Sequence, residues 1–138
     1  MDDFDVVEND YDNQDELEVV VSEKKVVNPE ERMLSALEYI KDNAKVYAQA
    51  KAELEYLEAY KHSLRSNLMK GAETQGITAN NAQESDALAH PSYKAHLEAI
   101  REAVANESML KWKMEAARIQ CDVYRSIMAS QRIQDKNV

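Results

Sequence analysis

The sequence predicts an all-α protein: a long antiparallel helical hairpin, coiled-coil-like, preceded by a disordered acidic N-terminal tail. Three observations predict it. Only two Gly and two Pro occur in 138 residues, and 7% of residues are aromatic. That composition suits uninterrupted helices and leaves too few turn formers for a sheet or barrel. Apolar residues recur at steps of three and four over two long stretches, the spacing of one helix face. Finally, charge is segregated. Residues 1–18 carry nine acids and no base, whereas the remainder carries 17 acids against all 17 bases. The net charge of −9 therefore belongs to the tail and not to the body.

Residues 1–27 form the predicted tail. Its first half is too charged to bury a core and is expected to be disordered. Leu17–Val21 and Val26–Val27 form a short β-prone patch around Glu23-Lys24-Lys25. It either adds a strand to a partner or packs on the helices, and both readings stay open. The acidic start is unlike a secretory signal or transit peptide. The single Cys121 has no partner for an internal disulfide, so a reduced, cytoplasmic setting is the expectation. No apolar run reaches the ~18 residues needed to cross a bilayer, so no membrane partner is expected.

The body, residues 28–138, begins with Asn28-Pro29-Glu30-Glu31. Here Asn caps, Pro occupies the first helical position and two Glu meet the positive end of the dipole. The first helix is predicted over about 29–70. Its seam is Met33, Leu37, Ile40, Ala44, Tyr47, Ala50, Leu54, Leu57, Leu64 and Leu68, with a softer stretch at Tyr60-Lys61. Gly71 after Lys70 reads as the terminator. Residues 71–90 are polar and hold both glycines, which predicts a loop, with room for a helical turn near Ser85–Ala89. Pro91 then opens a second helix to about 134. Leu97, Ile100, Val104, Leu110, Met114, Ala117, Cys121, Tyr124 and Met128 make its seam, with a gap at Glu107.

A second apolar line on that helix, Trp112, Ile119, Val123 and Ile127, lies partly off the seam. Two seams on one helix need two partners. The hairpin covers one, and a second copy of the chain would cover the other. Two helices alone also bury little surface. A homo-oligomer with these four residues at its interface is therefore expected.

Chemistry-bearing patterns are few. There is no Gly-rich phosphate loop, no Cys pair and no Ser-His-Asp spacing. No two of His62, His90 and His96 stand at the i, i+4 spacing of a helical metal site, and each reads first as a surface or cap residue. No catalytic residue, metal or cofactor is expected, and the chain does not read as an enzyme. The most specific surface pattern is basic. Lys111, Arg118, Arg125 and Arg132 recur every seven residues and form one stripe. Lys61 and Arg65 cluster on the first helix among Tyr56, Tyr60 and His62. Bases beside aromatics can follow a phosphate backbone while the rings stack on unpaired bases. Against this, Glu107, Glu115 and Asp122 stand three or four residues ahead of Lys111, Arg118 and Arg125. Such pairs are ordinary on solvated helix surfaces.

The segments Ala89-His90-Pro91-Ser92-Tyr93, Leu110-Lys111-Trp112 and Tyr124-Arg125-Ser126 resemble small helical proteins of tailed phages. With Tyr60-Lys61-His62-Ser63-Leu64-Arg65-Ser66-Asn67-Leu68, their order is similar to the phage UvsY family of recombination mediators, over roughly residues 30–134. The resemblance implies an oligomer in the cytoplasm of a bacterial host cell that binds single-stranded DNA and a recombinase or replication protein. Lys61, Arg65, Arg118, Arg125 and Arg132 would be the DNA contacts, joined by Lys111 from the stripe. The neutral body and the acidic tail depart from a basic mediator. The alternative is a helical adaptor, inhibitor or structural phage protein acting only through protein–protein contacts.

Overall fold

A computed structural model describes residues 28–138; the acidic tail and its β-prone patch lie outside the described residues. It contains α1 (Pro29–Thr74), α2 (Asn80–Ala89) and α3 (Pro91–Lys136), and no strand among the described residues. The long helices have 46 residues each, about 70 Å at 1.5 Å per residue. They run antiparallel, with Met33 opposite Cys121, Tyr47 opposite Glu107 and Leu57 opposite His96. None of the described helices is long and apolar enough to cross a membrane.

The caps explain the boundaries. Asn28 Oδ1 accepts from the Glu30 amide at 3.0 Å, with Pro29 in the first turn. His90 Nδ1 does the same for Ser92 at 3.1 Å ahead of Pro91, which makes His90 the cap of α3. The predicted terminator Gly71 is corrected: α1 passes through it to Thr74. The stop comes at Gly76, with φ +97°, where the Gly76 amide donates to Glu73 O and the Ile77 amide to Ala72 O. This reciprocal pair closes the helix through a left-handed residue that only glycine adopts without strain. The two glycines therefore have opposite expected effects. A Cβ meets nothing within 4 Å at either site, so backbone preference alone decides. Gly71→Ala should stabilise by about 0.5–1 kcal/mol and Gly76→Ala destabilise by about 1–2 kcal/mol, both read by urea unfolding.

The predicted loop 71–90 is corrected as well, because it contains α2. This helix has no side-chain cap on its N-terminal residue. It is held by Gln83 Nε2 donating to Ile77 O at 2.8 Å, by an ion pair between Arg65 and Glu84, and by the burial of Ala87.

The hairpin seam is narrow and built from small residues. Among the described residues, five of the eight buried ones are alanine (Ala36, Ala50, Ala72, Ala87 and Ala117), joined by Cys121, Tyr93 and Leu110. Small side chains let helices approach closely, since the interaxial distance follows the residues at the contact. The seam keeps the predicted positions along most of its length, Met33, Ile40, Ala50, Leu110, Ala117 and Cys121 among them, and departs from them at four. Leu37, Leu97 and Val104 are exposed at 46, 42 and 41%, and Ala44 is exposed. Ala36, Asn43, His96, Ala103 and Glu107 face inward instead, each at least half-buried.

Those polar seam residues are satisfied. Asn43 Nδ2 donates to Tyr39 O at 2.9 Å, the Tyr47 hydroxyl donates to Glu107 Oε1 at 3.2 Å, and His96 Nε2 lies 2.7 Å from Leu57 O. The Tyr60 ring meets the His96 imidazole edge-on at 5.5 Å and stacks on Tyr56 at 6.1 Å. No buried side-chain nitrogen or oxygen among the described residues lacks a partner, which is what a polar seam requires. Burial raises the Tyr47 phenol above its ordinary value of 10.0, and the bond to Glu107 and that carboxylate's charge raise it further. A pKa raised in the folded state stabilises below the unfolded value and is lost as pH rises through the folded one. Melting points should therefore fall more steeply above pH 10 for the wild type than for Tyr47→Phe.

Candidate functional site: the outward faces of the third helix

Because α3 gives its inner face to α1, everything else it carries is on offer to solvent or a partner. One line of it is apolar. Trp112 is 70% exposed, Ile119 52%, Val123 49% and Ile127 38%, so the four residues predicted at an oligomer interface all present surface to solvent. The structure extends this line to Met109 and Ile133, also exposed, and to Ala116 and Ser130 between them. Positions 109, 112, 116, 119, 123, 126, 130 and 133 follow one another at steps of three and four, with Ile127 flanking the line beside Ser126. That is a complete second seam, and the signal for its two ends was already present in the spacing. Exposed apolar lines of this length are rare on monomers and mark interaction surfaces.

The basic stripe occupies the flank of α3 between this line and the hairpin seam. Lys111 and Arg118 border a shallow groove with Ile40, Tyr47, Met114 and Glu115. Arg118 is engaged by Glu115 in a two-pronged ion pair, 2.6 and 3.1 Å, and Arg125 lies 3.7 Å from Asp122. Arg132 borders a depression with Asn28, Glu30 and Asp135. The Arg118 hydrogen bond holds the Glu115 carboxyl below its usual value, and the same bond raises the Arg118 guanidinium. A carboxyl lowered in the fold stabilises above its ordinary range and loses that contribution as pH falls through the folded value. Both groups are well exposed, so the pair adds little to stability.

The other predicted contacts do not join the stripe. Arg65 is turned to Glu84 of α2, and Lys61 is half-buried within the hairpin seam. Lys61 faces the start of α3 and Lys111 the middle of α1, more than 20 Å apart along the bundle at 1.5 Å per residue. The six cations therefore form one flank of four and a separate pair near the turn. Among the described residues no group of three His, Cys, Asp or Glu side chains gathers as a metal site.

No protein-family model matches the chain, and neither the curated proteins nor the solved structures contain a match.

Proposed function

We propose that this chain is a non-enzymatic assembly module, a helical hairpin that works by docking another helix along the outward seam of α3. One observation carries the reading: a helix already packed on one side holds Trp112, Ile119 and Val123 at 70, 52 and 49% exposure on another. Leaving them in water forgoes about 25 cal/mol for each Å² they could bury, and only binding recovers it. Trp, which stands at position 112 of this line, is the residue type on which interface energies concentrate. Replacing Trp112 and Ile119 with Glu should abolish assembly while leaving helix content unchanged. A parallel loss of helicity would place these residues in the hairpin's own core and defeat the proposal.

A second reading is favoured by the stripe. Four cations at heptad spacing on one flank suit an accessory protein of DNA recombination or replication that grips single-stranded DNA as an oligomer, as the likeness to the phage mediators implies. Lys111, Arg118, Arg125 and Arg132 would each replace one counterion. The expected dependence of log K on log salt is then about −3, from roughly −0.7 per phosphate on single strands. Arg118→Glu with Arg125→Glu should flatten it by about half. Absence of binding at low salt, with and without residues 1–22, would exclude this reading and leave the stripe as a surface of intrahelical ion pairs.

A further inference from the structure

We infer that the outward seam of α3 is covered by the same seam of a second copy running antiparallel, so that two hairpins join through their α3 helices into a four-helix layer about a twofold axis at the level of residue 121. The inference rests on the docking reading and names its partner. The seam is apolar only between Met109 and Ile133; before it, the outer surface carries exposed Glu98, Arg101 and Glu102. The midpoint of the apolar part is residue 121, so an antiparallel mate centred there covers all of it and nothing else.

The order of side chains along the seam is complementary to its own reverse. Pairing about residue 121 sets Met109 opposite Ile133 of the mate, Trp112 opposite Ser130, Ala116 opposite Ser126 and Ile119 opposite Val123. The largest ring then meets a small residue whose hydroxyl can accept the indole N–H, as a buried Trp requires. The aliphatic residues meet one another. A parallel, in-register mate would stack Trp112 on Trp112 and oppose Ala116, Ser126 and Ser130 to themselves, leaving voids where the antiparallel order fills space. The exposed parts of the six large apolar side chains come to on the order of 600 Å² per copy, close to the ~800 Å² per partner of stable interfaces. Charge sets one cost: Asp122 approaches its symmetry mate near the axis, and the Arg125 guanidinium 3.7 Å away offsets that repulsion.

Sedimentation equilibrium and a cysteine pair test this on the full chain. The wild type should sediment at twice the chain mass, and Trp112→Glu with Ile119→Glu should weaken the dimer by at least 100-fold. Mild oxidation of Ala116→Cys with Ser126→Cys should give a covalent dimer, whereas Ala116→Cys alone should not, and this holds whether or not the Glu variant folds. A monomer at all concentrations, a dimer that survives the two Glu, or crosslinking through Ala116→Cys alone would each overturn the inference. A monomer whose binding of an apolar dye is abolished by the two Glu would overturn the second copy alone and leave the docking face standing. A monomer that binds no dye would remove both.

Discussion

Leu110→Ala should destabilise the hairpin by about 3 kcal/mol, which for a helical body of this size corresponds to a fall in melting temperature on the order of 10 °C. Among the described residues, Leu110 is the one large aliphatic side chain in a buried set otherwise made of alanines, Cys121 and Tyr93. It lies one helical turn from Glu107, whose carboxylate is satisfied by the Tyr47 hydroxyl. Removing Leu110 leaves a cavity between two rigid helices that collapse poorly around it. A native state stable by only some 5–15 kcal/mol gives up much of its margin. The opposite change is also costly. Ala117→Leu forces apart helices that Ala36, Ala117 and Cys121 hold close, an overpacking worth about 1–3 kcal/mol. Thermal melts followed by circular dichroism check both. A loss below about 1 kcal/mol for Leu110→Ala would mean that the α1–α3 seam is not the core.

Trp112→Glu with Ile119→Glu should act in the reverse manner, with little effect on the isolated hairpin and a large one on association. Both side chains project from the face away from α1, so the contacts of Leu110, Ala117 and Cys121 are untouched. In the assembled state each copy would bury two unpaired carboxylates, which costs several kcal/mol. Assembly also feeds back on stability, because a mate that binds only the folded hairpin raises the apparent melting temperature with concentration. The wild type should therefore melt higher when more concentrated, and the double variant should melt at one temperature throughout. A melting temperature independent of concentration in the wild type would remove the coupling.

The parts of the fold that follow from periodicity were legible in the sequence, and those that follow from close packing were not. Asn28-Pro29 and His90-Pro91 mark the starts of α1 and α3, and three-four spacing reveals both long helices. The phase of the seam slipped by one residue at Leu37, Leu97 and Val104, because large apolar residues resemble core. Two helices in close contact instead select small Ala36 and Ala103 at those places, as they do Ala50 and Ala117, which spacing already put in the seam. They also tolerate Asn43, His96 and Glu107, whose partners lie on their own or the facing helix and so do not show in local spacing. Helix α2 was hidden because Asn80–Asp86 is polar without an apolar period; its ion pair with Arg65 and the burial of Ala87 hold it in place. Gly71 resembled a stop because composition does not distinguish a glycine inside a helix from one at positive φ.

The candidate faces divide in the same way. Spacing alone placed Trp112, Ile119, Val123 and Ile127 on one line, and the structure exposes all of them. Spacing also placed Lys111, Arg118, Arg125 and Arg132 on one stripe, and the acids read three residues upstream of Arg118 and Arg125 pair with them. Grouping Lys61 and Arg65 with that stripe required knowing the register of the hairpin. The register sends Lys61 into the seam and Arg65 to α2.

Trp112 is the only tryptophan in the chain, so its fluorescence reports the central claim directly. On dilution of the full chain its emission should move from the blue-shifted position of a buried indole to that of an exposed one, in step with the fall from dimer to monomer mass. Emission of an exposed indole at every concentration would show that no second copy covers the seam.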